Sequence, residues 1–253
     1  VRVEARGGRV GAWLQQRAVR GTKAAGIDLI SPAAEGSELV IPGFFVRGSK
    51  DAQTLMTGSA SYSDLKNIVR VVNPGSKEAT VLVRVIGATS KTFGTVIQQK
   101  IPASSVADLE VSGISDGDYA IFIASDVPVL ASAKLNRTAL NRTPVTDFTW
   151  LSSLAGASGT QVMVVPPQGI SKISLGNASK ESVRVSVRNG ATTFSIDLSG
   201  GSTQTLTLAP GLLQIQSELN VVATIITDID GTVTNFPMVE YRNLGGVVSV
   251  YVQ

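Results

Sequence analysis

The chain contains no cysteine and no histidine. Zinc sites built from thiolates or imidazoles are therefore excluded, as are Ser-His-Asp and Cys-His catalysis. A serine nucleophile would need a lysine as its base, and neither Ser132-Ala133-Lys134 nor Ser171-Lys172 forms a recognisable signature. Aromatic residues make up only 5% and charged residues only 16% of the 253 positions; charged residues ordinarily reach ~25%. No run of ~18 apolar residues occurs, so no helical membrane span is expected. The net charge is +3 and is spread without a basic run. Nucleic-acid binding, which calls for a basic stripe with stacking rings, is not expected. A domain of this size needs no disulfide, so the missing cysteine is compatible with export. The chain opens on Val1-Arg2-Val3, which suggests a fragment or a processed form without a targeting segment.

What the chain does have is self-similarity. Ser125-Asp126-Val127-Pro128-Val129-Leu130-Ala131 returns as Ser217-Glu218-Leu219-Asn220-Val221-Val222-Ala223. Ser76-Lys77-Glu78 has its echo in Ser179-Lys180-Glu181. Similarity that recurs in order marks a copied structural unit. With 43% hydrophobic residues, each unit can fill a core.

The local grammar is that of strands. Ile68 to Val72 is a β-branched run stopped by Asn73-Pro74-Gly75. Alternation of Val81, Val83 and Val85 follows, then Thr95 to Gln98, Val106 to Val111, Tyr119 to Ile123 and Val129 to Ala133. The second unit repeats the order with Ile173 to Leu175, alternating Val183, Val185 and Val187, Phe194 to Leu198, Thr205 to Leu208 and Leu212 to Ile215. Short strands at this spacing, punctuated by turns, predict an all-β chain of tandem immunoglobulin-like antiparallel β-sandwich units. A propeller-like ring of small sheets is the alternative. The expected division is closing strands of a partial upstream repeat at 1–44, a loop or linker at 45–65, one unit at 66–168 and a second at 169–253. Ser31 to Glu35 and Ser61 to Lys66 could each make one helical turn.

The sharpest motif is Thr227-Asp228-Ile229-Asp230-Gly231-Thr232 at the end of an apolar run. It resembles the first motif of the haloacid-dehalogenase-like phosphatases, which would make Asp228 a nucleophile and Asp230 an acid/base. That chemistry also needs a later lysine and an acidic Mg²⁺ cluster. After Thr232 there is no lysine, and Glu240 is the one acid. The reading preferred here is a hairpin turning at Asp230-Gly231. Asp116-Gly117-Asp118 and the Asp228/Asp230 pair lack a full Ca²⁺ loop, so no metal and no cofactor is expected. The nineteen acids are scattered, and no carboxylate pair for glycoside hydrolysis can be picked out.

Asn136-Arg137-Thr138, Asn141-Arg142-Thr143 and Asn177-Ala178-Ser179 match the glycan-acceptor pattern. The tandem pair brings Lys134, Arg137 and Arg142 close in sequence, a candidate ligand-contact patch for an anion. Of the two tryptophans, Trp150 is expected in the core, while Trp13, followed by Gln15, Gln16 and Arg17, could offer a face to a sugar ring.

Arg70-Val71-Val72-Asn73-Pro74-Gly75, Ile101-Pro102-Ala103-Ser104-Ser105-Val106, Gly117-Asp118-Tyr119-Ala120, Ser125-Asp126-Val127-Pro128-Val129 and Asp147-Phe148-Thr149-Trp150 resemble an actinobacterial family of large secreted proteins known as a domain of unknown function. The resemblance spans about residues 40–190. It implies export or envelope anchoring, and no activity, cofactor or catalytic residue. The expected role is a non-catalytic extracytoplasmic structural or interaction protein of the bacterial cell envelope, with an envelope protein or polysaccharide as partner. A carbohydrate-binding module is the alternative, and a carboxylate-based hydrolase a more distant one.

Overall fold

Alternating β-branched residues generate the strands. In a strand, successive side chains point to opposite faces; Val81, Val83 and Val85 are buried while Arg84 is exposed. The computed structural model describes residues 12–20, 22–47, 66–89, 94–140, 144–229 and 231–238. Among these the chain is all-β, with no helix. Residues 31–34 are irregular rather than a helical turn.

An N-terminal hairpin, β1 (Leu14–Arg20) and β2 (Lys23–Ile30), pairs only with itself. Seven strands follow: β3 (Glu35–Val46), β4 (Ile68–Asn73), β5 (Ala79–Gly87), β6 (Thr95–Ile101), β7 (Ser105–Glu110), β8 (Gly117–Leu140) and β9 (Pro144–Ser152). Seven more repeat the order: β10 (Ala157–Val165), β11 (Ile170–Gly176), β12 (Val183–Asn189), β13 (Thr192–Leu198), β14 (Thr203–Thr207), β15 (Gly211–Ile229) and β16 (Thr232–Pro237). The sheet orders match strand for strand, β6-β5-β8-β4-β7 with β3 and β9 on β8, and β13-β12-β15-β11-β14 with β10 and β16 on β15.

Each set is organised by one long strand that changes partners. The first part of β8 pairs with β5 as far as Ser125; from Leu130 it pairs with β4. In the same way β15 leaves β12 at Ser217 and joins β11 at Val222. The repeated heptad is this crossover. Pro128, which has no N–H to give a ladder, sits in the gap between the two partners. What the alternation suggested as two strands, Tyr119 to Ile123 and Val129 to Ala133, is therefore one.

The partner change curls each sheet around a single core. Val69, Val71, Val81, Val83, Tyr119, Ile121, Val129 and Ala131 share the first core; Ile173, Leu175, Val185, Leu213, Ile215 and Ala223 share the second. The arrangement is two curled sheets rather than a ring of small blades. The two sets pack through a smaller apolar cluster of Val40, Ala120, Phe122 and Val222, and Ile226 and Val233 of the second set join the first core. Gly43 and Gly176 permit the close approach. A Cβ on Gly176 would stand 2.9 Å from Val222 and 3.0 Å from Val40.

Pairing counts β3 and β10 as the opening strands of their sets, whereas the sequence division placed β10 before the break at 168. Phe45 and Val46, at the start of the expected linker, are buried residues of β3; the segment 48–65 lies outside the described residues. The β1–β2 hairpin has the form of the hairpins that close the two sets, β8–β9 and β15–β16.

Candidate functional site

A cavity of about 570 Å³ opens where the first set meets the second. A bulge between Ile41 and Phe44, made at Pro42-Gly43 with Gly43 at φ 80°, carries the end of β3 over β11 and β15. Arg47 follows that strand. Asp118 sits opposite Phe45 in the register of β8. On β11, Ile173 and Leu175 point into the second core, so the alternate residues Lys172 and Ser174 face the first set and line the cavity.

The charges form two groups. Asp118 accepts from the Arg47 guanidinium through one carboxylate oxygen and from Lys172 Nζ at 2.9 Å through the other. Arg137, late in β8, donates from Nε to Asp228 Oδ2 at 2.7 Å. Arg47 also lies 5.3 Å from the centre of the Phe45 ring. These pairs are partly exposed, so each contributes only about 0–1 kcal/mol to stability. Their larger consequence is to hold cationic groups in fixed positions between two strand sets.

Ser174 Oγ and Thr205 Oγ1 line the same cavity, and both are buried without a hydrogen-bond partner. Thr224 Oγ1 is a third such atom. Ser174 stands opposite Thr205 on one side and opposite Thr224 on the other, so the three hydroxyls form one cross-strand row.

A second polar cluster joins the hairpin to both sets. Asp28 in β2 accepts from the Trp150 backbone N–H at 2.7 Å and from Thr149 Oγ1 at 3.1 Å. Asp147 in β9 accepts from Val233 N–H in β16 at 2.9 Å, and its Oδ1 lies against Gly26 in β2. Burial raises both carboxyls above the usual aspartate range, and the charge of Asp28 raises Asp147 further. Each carboxylate accepts a backbone N–H of a neighbouring strand, which is the work of a fastener.

The residues singled out in the sequence scatter. Lys134 Nζ lies 5.2 Å over the Phe148 ring on the outer face of the sheet, whereas Arg137 shares the parity of core residues Ala133 and Leu135 and reaches the cavity. An odd separation in a strand puts two side chains on opposite faces, so these two do not form one patch. Arg142 lies outside the described residues. Trp13 is 71% exposed just ahead of β1, and Trp150 is 6% exposed; its Nε1–H donates to Gln16 Oε1 at 2.8 Å, and the Arg70 guanidinium lies 4.9 Å from its ring. Two of the three glycan-acceptor asparagines are buried, Asn136 at 7% and Asn177 at 0% exposed; Asn141 lies outside the described residues.

Asp228 ends a strand that returns as the antiparallel hairpin β15–β16, and its carboxylate is engaged by Arg137 and by Gly231 N–H at 3.4 Å; Asp230 lies outside the described residues. Among the described residues no group of three or more Asp or Glu could hold a metal ion. Among the described residues no helix is long and apolar enough to cross a membrane. Arg47, Asp118 and Lys172 carried no local signal in the sequence, because their partners lie 71 and 54 positions apart.

The chain belongs to a family of unknown function, DUF5719, whose model matches residues 1–210. The match takes in the whole first set and the second as far as β14. No curated protein and no solved structure matches the chain.

Proposed function

We propose that this member of DUF5719 is a non-catalytic structural and interaction module that works outside the cytoplasm, in the bacterial cell envelope. The observation that carries the reading is serial stacking of like elements. Strand β2 lies on β9 through Asp28, and β9 lies on β16 through Asp147. The same device, a buried carboxylate on the backbone of the next closing strand, is used at both joints. Elements that stack in series present long fixed surfaces, as repeat proteins do. Each set, one sheet curled about a long strand, is read as an immunoglobulin-like unit. Surfaces of this kind bind through loops at one end or through a free strand edge.

The test is protease shaving of intact cells that produce an epitope-tagged copy of the full-length protein. Loss of the tag without cell lysis supports the reading; protection of the tag until lysis overturns it. The non-catalytic part predicts no turnover of phosphate monoesters or aryl glycosides. Turnover abolished by Asp228→Asn would refute it.

The exposure of Trp13 favours a second reading, a carbohydrate-binding module for envelope polysaccharide. An exposed indole can stack on a sugar face. Titration with envelope glycan fragments would then shift the emission of wild type and leave Trp13→Ala unchanged.

A further inference from the structure

We propose that the cavity between the two strand sets binds a small hydroxylated organic anion, of the class of sugar acids and sugar phosphates. The first ground is the row of hydroxyls. Ser174 is 1% exposed, its Oγ has no partner, and neither has Thr205 Oγ1 beside it. Buried polar groups are nearly always hydrogen-bonded, and each exception asks for a reason. The first set makes the contrast. At the matching positions of its sheet Arg70 stands between Asp108 and Ser132, and Arg70 binds Asp108 with two hydrogen bonds of 2.7 and 2.8 Å. There Arg70 and Asp108 satisfy each other; in the second set Ser174 and Thr205 face a cavity.

The second ground is charge. Arg47, Lys172 and Arg137 bring cationic groups into the lining beside Asp118 and Asp228. Pairing with Asp118 does not exhaust its two partners. A lysine has three N–H donors and an arginine five, and Lys172 spends one on Asp118 while Arg47 spends one there and one on the Val46 carbonyl. Asp118 thus holds two cations side by side with donors left over. An anionic group fits between them, while the aspartate oxygens and the hydroxyl row suit the hydroxyls of the same ligand.

The third ground is size. Ligand cavities run from ~300 to ~1,000 Å³, and about 570 Å³ suits one or two sugar rings better than a bare inorganic ion. Trp13 is not among the lining residues, so this site stands or falls apart from the glycan-stacking reading and from envelope location.

Isothermal titration of the intact chain tests the proposal with four probes: glucuronate, glucose 6-phosphate, glucose and inorganic phosphate. The expected result is binding of one or both sugar anions, with glucose and phosphate weaker by about tenfold or more. Which sugar anion binds tells whether carboxylate or phosphate is preferred. Ser174→Ala combined with Thr205→Val should weaken that binding about tenfold while leaving the melting temperature unchanged or higher, because neither hydroxyl has a partner to lose. Lys172→Met should weaken it as well. The proposal is overturned if neither sugar anion binds, if glucose or phosphate binds as tightly, or if the Ser174/Thr205 variant binds like wild type.

Discussion

The carboxylate of Asp147 accepts the backbone N–H of Val233 at 2.9 Å, and with two bonds from the Asn235 amide to Thr149 and Trp150 it ties the last strand of the first set to the last strand of the second. The same side chain lies against Gly26 in the N-terminal hairpin. A single buried acid therefore sits where three elements meet.

Asp147→Ala should destabilise the protein by about 1–3 kcal/mol, because it strands the buried N–H of Val233. Asp147→Asn should cost less than half of that, since the amide still accepts and no charge is buried. Urea unfolding of the three proteins checks the order. Equal losses for Ala and Asn would show that charge, rather than hydrogen bonding, makes the joint.

The two buried acids set a pH dependence of definite sign. Burial holds the carboxyls of Asp28 and Asp147 above their ordinary value of 3.8. Each binds its proton more tightly in the folded state, so its contribution is fully present below 3.8 and is lost as pH rises through the folded-state values. Asp108 runs the other way, because the Arg70 guanidinium lowers it. It is common to wild type and an Asp28→Asn/Asp147→Asn variant, so it cancels in their difference. Melting temperatures from about pH 3 to pH 7 should show wild type losing ground to the variant as pH rises. A gain would contradict the assignment.

Asn73 and Asn177 occupy matching turns, and both are 0% exposed. The Asn73 amide donates to the carbonyls of Lys77, Ile101 and Pro102, and its oxygen accepts Gly75 N–H at 3.0 Å. Asn177 does the same with Glu181, Leu198, Ser199 and Ser179. Either asparagine changed to alanine should cost about 2–3 kcal/mol, and to aspartate at least as much, because the carbonyl contacts become repulsive. Calorimetry on the single variants is the check, with a change under about 0.5 kcal/mol counting against the turn role.

Gly43→Ala should loosen the joint between the sets. Gly43 has φ 80°, a conformation that costs an L side chain about 1 kcal/mol or more, and its new Cβ would overlap the Thr224 methyl and press on Ile226. A loss of about 2–4 kcal/mol is expected, with the two strand sets unfolding in separate calorimetric steps. One sharp transition at the wild-type temperature would mean that the contact across the joint is not tight.

Strand existence was legible in the residues, because a period-two alternation such as Val183-Arg184-Val185-Ser186-Val187 is a local property that burial only ratifies. Duplication was legible for the same reason, and the repeated heptad turned out to be the crossover of β8 and β15. What stayed hidden was the assembly of the site. Lys134 and Arg137 are neighbours in sequence yet lie on opposite faces, while Arg47, Asp118 and Lys172 come from distant segments that only docking unites.

By itself, then, the sequence determined that the chain is built from strands, that its module is repeated and that imidazole and thiolate chemistry are absent. These follow from residue types and their spacing alone. The curl of each sheet, the joint through Asp147 and the charged cavity were decided by tertiary structure. They depend on which strand faces which across long loops, and pairing of that kind is chosen by the total burial and hydrogen bonding of the folded whole, which no local window of sequence contains.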